Sequence, residues 1–146
     1  MKSKTTTTAG ILLGLVFVVF SLNGFLHFFP DQPMGEQAGR FMGGLGASGY
    51  FFPLLMATQL VAGALLLIRR FVPLALAMLA PVVVNIVGFH LFLAPAGFPV
   101  AALILGLEIF LLWSYRGAFR PLFRARAEVA PASEPASVGA GRASAR

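Results

Sequence analysis

One carboxylate stands in the middle of an otherwise apolar run: Glu108, within AALILGLEIFLLWSY at residues 101–115. If that run crosses a bilayer, the side chain lies near the midplane, where a charge costs roughly 2.5–3.5 kcal/mol on insertion scales. A chain that keeps such a group must neutralise it, pair it or use it. Three further apolar runs each carry an amide or an imidazole: Asn23 and His27 in the first, Gln59 in the second, Asn85 and His90 in the third. Groups of this kind hydrogen-bond across helices, hold a small polar ligand or, for histidine, ligate a haem iron. Cysteine is absent, which excludes disulfides, thiol nucleophiles and cysteine-bound metal or iron–sulfur centres.

The elements that would carry these residues follow from composition. Of 146 residues, 58% are hydrophobic and 11% charged. Soluble domains carry about 25% charged residues, so a soluble fold of this length would lack the polar residues to cover its surface. Lipid removes that requirement, and the mean hydropathy of +0.87 points the same way. The net charge is +6, but the basic residues flank apolar runs and form no single patch. Nucleic-acid binding is therefore not expected.

Four runs have spanning length or close to it. They cover about residues 9–29, 50–68, 71–93 and 98–115. The first also resembles a secretory leader, with its basic start and apolar core. No small-x-small cleavage site follows, and the run continues through Phe28 and Phe29, so it reads as a retained helix. Pro81 lies inside the third run and should kink it, freeing a carbonyl. Between the first two runs, Asp31, Gln32 and Pro33 read as a helix start. Met34, Ala38, Phe41, Met42 and Leu45 then recur at helical spacing, with Glu36 and Arg40 paired i,i+4 on the other side. This is the pattern of a short amphipathic helix. GGLGASG at residues 43–49 reads as a hinge; without a lysine and a strand–helix setting it is no phosphate-binding loop. Arg116, Arg120, Arg124 and Arg126 have a spacing suited to a short interfacial helix. Residues 125–146 carry no apolar period and should be disordered.

The expected fold is thus an all-α membrane protein. A polar tail (residues 1–8) precedes a four-helix transmembrane bundle (residues 9–124) with a short amphipathic helix in its first outer loop. Basic residues divide 10 to 1 between the two sets of loops, with Arg40 alone in the minority. The positive-inside rule then puts both termini in the cytoplasm. At about 1.5 Å per residue, Asn23, His27, Gln59, Asn85, His90 and Glu108 all fall in the middle-to-outer half of the bundle. Asn85 and His90 are five apart, about 140° round an ideal helix, so they cannot both point inward without distortion. Gly10, Gly14, Gly63 and Gly106 read as sites of close helix approach.

GLVFVVFSLNGFLHFFP, GYFFPLL, QLVAGALLL and LEIFLLWSYRGAFRPLF occur in that order at fitting spacing. Together they resemble the DoxX-like family of small four-helix membrane proteins, over about residues 9–123. The resemblance implies a four-helix bundle in the bacterial inner membrane and a link to redox metabolism, since relatives include a subunit of thiosulfate:quinone oxidoreductase. Members often carry a glutamate in the second helix, where this chain has Gln59, so any role needing a second carboxylate is in doubt. On this reading the chain is an accessory or quinone-interacting module of a membrane redox system. A quinone would be held by Glu108, His27 and an amide, beside a partner redox subunit. The alternative is a non-catalytic assembly or partner protein with a structural polar core. Haem held by His27 and His90 is a further alternative. So short a chain would reach a transporter's internal symmetry only as a homo-oligomer.

Overall fold

The computed structural model describes residues 3–30 and 33–123. Among them every regular element is helical: α1 (Lys4–Leu26), α2 (Glu36–Ala47), α3 (Phe51–Leu67), α4 (Val72–Phe92), α5 (Phe98–Ser114) and the short α6 (Arg116–Phe119). One-turn 3-10 helices precede α5 (Pro95–Gly97) and follow α6 (Arg120–Phe123). α1, α4 and α5 with its preceding turn are long and apolar enough to cross a membrane. A fourth span is reached if α2 and α3, which meet at 91°, are taken as one bent element.

Local chemistry explains where each helix stops. Ser3 caps α1, its Oγ accepting the N–H of Thr5. The helix therefore begins five residues before the apolar run at residues 9–29. It also ends earlier than that run: His27 turns left-handed at φ 51°, and Asn23 Oδ1 accepts the N–H of Phe29 at 2.7 Å. α3 ends in the two-bond closure of a Schellman turn. Arg69, at φ 58°, donates to Leu66, and Arg70 donates to Leu65. The apolar runs at 50–68, 71–93 and 98–115 agree with α3, α4 and α5 to within a residue at each end. Residues 43–47 differ from expectation, because they continue α2 instead of forming a hinge. The corner is Ser48–Tyr50, where Ser48 Oγ donates to the Leu45 carbonyl and accepts from the Phe51 N–H. α2 begins at Glu36, with Gly35 before it; the expected cap at Asp31 and Gln32 lies outside the described residues. Arg124, Arg126 and the rest of the C-terminal tail lie outside them too.

α1, α3, α4 and α5 pack in a ring in that order, closing with α5 against α1. The α1–α3 seam is the most extensive and the α1–α5 seam the least. Glycine sets the first of these. A Cβ on Gly14 would lie 2.9 Å from the Gly63 carbonyl oxygen, and one on Gly63 would lie 3.0 Å from that of Gly14. The two backbones therefore touch, leaving dispersion to act over their full contact. The apolar core is concentrated toward the end of the bundle holding the start of α1. Leu13, Phe17, Leu66, Leu76, Leu79, Val83 and Leu111 are its largest buried members. Large apolar side chains such as Leu12, Phe20, Leu74 and Leu103 cover the exterior, as lipid would allow and water would not. At the other end α2 lies back over the bundle. Ala38 is buried, and the Phe41 ring stands 6.0 Å from that of Phe89 on α4.

The Gly63 contact makes a prediction. Gly63→Val pushes its side chain into the Gly14 backbone and Val18, and overpacking of this kind costs about 1–3 kcal/mol. Gly106, with nothing near its missing Cβ, should accept alanine with no loss and a gain of about 0.5–1 kcal/mol from helix propensity. Thermal unfolding of both variants in mild detergent measures the difference.

Candidate functional site

Glu108 occupies a helix face that is otherwise core. Ala101, Ile104, Glu108 and Leu111 recur at spacings of three, four and three, and all are buried. The Glu108 side chain is 2% exposed, and neither carboxyl oxygen has a hydrogen-bond partner among the described residues. Leu111, one turn away on the same stripe, approaches Gly10 of α1. The carboxyl group thus belongs to the α5 face that turns toward α1.

The other five candidate residues have different settings. Gln59 is buried, on the α3 stripe with Ala62, Gly63 and Leu66. Asn23 is half-buried and caps the end of α1 through its bond to Phe29. His27 is exposed and forms the left-handed residue of that cap. Asn85 is exposed on α4, and its Nδ2 donates to the Pro81 carbonyl at 2.9 Å. His90 is half-buried; its Nδ1–H donates to the Ala94 carbonyl at 3.1 Å, and its ring occupies the space beside Gly97 that a Cβ would need. Two of the six, Gln59 and Glu108, therefore turn into the bundle, and Asn23 and His90 shape helix ends. An exposed His27 and a half-buried His90 tied to the α4–α5 turn do not offer two inward imidazoles for a haem. Among the described residues no three His, Asp or Glu side chains group as metal ligands.

Ser21 joins the buried polar set. It is fully buried on α1, and its Oγ has no hydrogen-bond partner among the described residues. Hydroxyls in helices commonly bond the carbonyl four residues back. Thr58 does so to Leu54 and Ser114 to Phe110, both at 2.8 Å. Ser21 does not. Antiparallel packing that sets Gly14 against Gly63 and Gly24 against Met56 brings Ser21 opposite the α3 turn of Met56 and Gln59. Its helical spacing from Gly10, Gly14 and Phe17 is the sequence signal that marks it as inward-facing.

Chemically, this arrangement holds one desolvated carboxyl, one unbonded hydroxyl and the Gln59 amide in an apolar interior. A buried polar atom without a partner costs about 1–3 kcal/mol, and an unpaired buried charge far more. Among the described residues no hydrogen bond offsets that cost for Glu108 or Ser21. Compared with protein-family models, with curated proteins and with solved structures, the chain finds no match in any of the three.

Removing the carboxyl should accordingly stabilise the fold. Glu108→Leu is expected to unfold with the wild-type midpoint or above it, by up to about 1–3 kcal/mol. A clear loss of stability in the same thermal assay would show that Glu108 has a structural partner.

Proposed function

We propose that the chain is a DoxX-like bundle of four membrane-spanning helices in a bacterial inner membrane. It acts as an accessory module of a redox system that holds a quinone through Glu108. Both termini face the cytoplasm, and α2 is an amphipathic helix on the outer side. The observation that carries this reading is the carboxyl of Glu108, buried without a partner among the described residues while the side chains of Asn23, Asn85 and His90 are bonded to backbone atoms. In an apolar site the uncharged acid is the cheaper form. It presents one O–H donor to whatever enters, and the carbonyl of a lipid-soluble quinone is a matching acceptor. Electron transfer is then the work of a partner subunit, and this chain positions the ligand. The topology is supported by charge: Lys4, Arg69, Arg70, Arg116 and Arg120 lie at the end of the bundle that holds the start of α1, and Arg40 lies on α2 at the other. At the first end, Arg116 bonds the Trp113 carbonyl and stands 5.0 Å above the Trp113 ring, an arrangement suited to a headgroup boundary.

The test is binding of a decyl-substituted benzoquinone to the purified protein in lipid nanodiscs, followed by quenching of Trp113, the chain's single tryptophan. Loss of one hydrogen bond of about 1.4 kcal/mol weakens binding about tenfold, which is the result expected for Glu108→Leu, with Glu108→Gln between it and the wild type. Equal binding by wild type and Glu108→Leu, or none by either, would remove the reading.

One observation favours the runner-up, a non-catalytic assembly protein. The Asn85 amide lies on the exterior of a spanning helix, and polar groups on such a face are what a neighbouring helix covers. A stoichiometric partner, or a second copy of the chain, captured in mild detergent and lost on Asn85→Leu would move the account to that side.

A further inference from the structure

The two seams of α1 are built differently, and the difference points to a route by which a ligand reaches Glu108. Against α3, backbone meets backbone: a Cβ on Gly14 would lie 2.9 Å from the Gly63 carbonyl oxygen and one on Gly63 3.0 Å from that of Gly14, and Gly24 leaves its space to Met56. Against α5, a side chain meets a gap: the nearest atom to a Cβ on Gly10 is Leu111 Cδ2, at 4.0 Å, an ordinary van der Waals distance. This is also the least extensive seam of the ring. α1 and α5 are the first and last long helices, so no short loop ties them together, whereas α3–α4 and α4–α5 are joined by tight turns. Glu108 lies one turn from Leu111 on the same buried stripe.

We infer that the α1–α5 seam is a lateral portal, closed at rest by Leu111 against Gly10, that opens to admit a lipid-borne ligand to Glu108. The inference rests on the ligand-holding role of Glu108 and adds the route and the residues that control it. Opening moves the Leu111 side chain and slides α5 along α1. The α1–α3 seam stays closed, because its glycine contacts leave no slack for the two backbones to part without losing packing along their whole length. The ligand this route admits is a flat, apolar molecule with a carbonyl acceptor that reaches the bundle from the bilayer core and never passes through water.

The absence of native cysteine makes the test clean. Cysteines are placed at Gly10 and Leu111, and in a second protein at Gly24 and Met56. Each pair is joined by a short bis-methanethiosulfonate linker that reductant removes. The rate of Trp113 quenching by the decyl-benzoquinone is then measured in nanodiscs. The portal predicts at least a tenfold slower association for the linked Gly10/Leu111 pair, recovery on reduction, and no change for the linked Gly24/Met56 pair. Leu111→Ala, which removes the closing side chain, should associate several-fold faster than wild type. If the Gly10/Leu111 link leaves the rate unchanged while the unlinked protein binds, the portal is overturned and the role of Glu108 stands. If the unlinked protein binds no quinone, the role of Glu108 falls and the portal falls with it.

Discussion

A polar atom inside an apolar bundle has few places to turn, and the nearest is the backbone of its own helix. Most polar side chains here take that course. Asn23 closes α1, His90 ties α4 to the Ala94 carbonyl of the turn that follows, Asn85 returns to Pro81, and Thr58 and Ser114 return to the carbonyls four residues behind them. Each group thereby satisfies its polar atom on nearby backbone, and each is withdrawn from chemistry. What remains inside the bundle is a short remainder: the buried Gln59 amide, and the Glu108 carboxyl and Ser21 hydroxyl, whose oxygens are fully buried and without a partner among the described residues. The functional reading depends on this division between bonded and unbonded polar atoms.

The same division separates parts of the bundle mechanically. Gly14 and Gly63 let two backbones touch, which makes α1 and α3 a rigid pair. The apolar core beside them, with Leu13, Leu66, Leu76 and Leu79 fully buried, closes the end of the bundle that carries most of the basic residues. Glu108 sits on the inner stripe of α5, one turn from Leu111 at the least extensive seam, and Ser21 on α1 lies opposite the α3 turn of Met56 and Gln59. A rigid pair beside a loose seam gives a bundle that can open on one side without unfolding.

Much of the fold is legible in residue order, and the reasons for the exceptions are physical. Hydropathy marks α3, α4 and α5 to within a residue of each end, because the polar or turn-forming residues that interrupt each apolar run also end the helix. It misplaces both ends of α1: hydropathy does not register the Ser3 cap, nor the backbone reversal at His27 within an unbroken apolar stretch. Glycines 43, 44 and 46 look like a hinge by type, yet they remain helical, and Ser48 makes the corner. At the site, the buried positions of Glu108 and Gln59 follow from the cost of leaving a carboxyl or an amide in lipid at mid-helix. The settings of Asn23, His27, Asn85 and His90 do not, since depth along a helix says nothing about which way a side chain faces or whether its own backbone has already bonded it. The five-residue gap between Asn85 and His90 is the one sequence sign that they do not share a face. Ser21 carries too weak a chemical signal to stand out by type, and only its place on the Gly10–Gly14–Phe17 stripe marks it.

The most direct measurement of the central claim is the infrared carboxyl spectrum of the protein in nanodiscs at neutral pH, taken as wild type minus Glu108→Gln. A desolvated acid with no internal partner should give a high-frequency C=O stretch that is absent from the variant and moves to lower frequency when the benzoquinone is added. Carboxylate bands in its place, or a C=O stretch already lowered by strong hydrogen bonding before any ligand is present, would contradict the account.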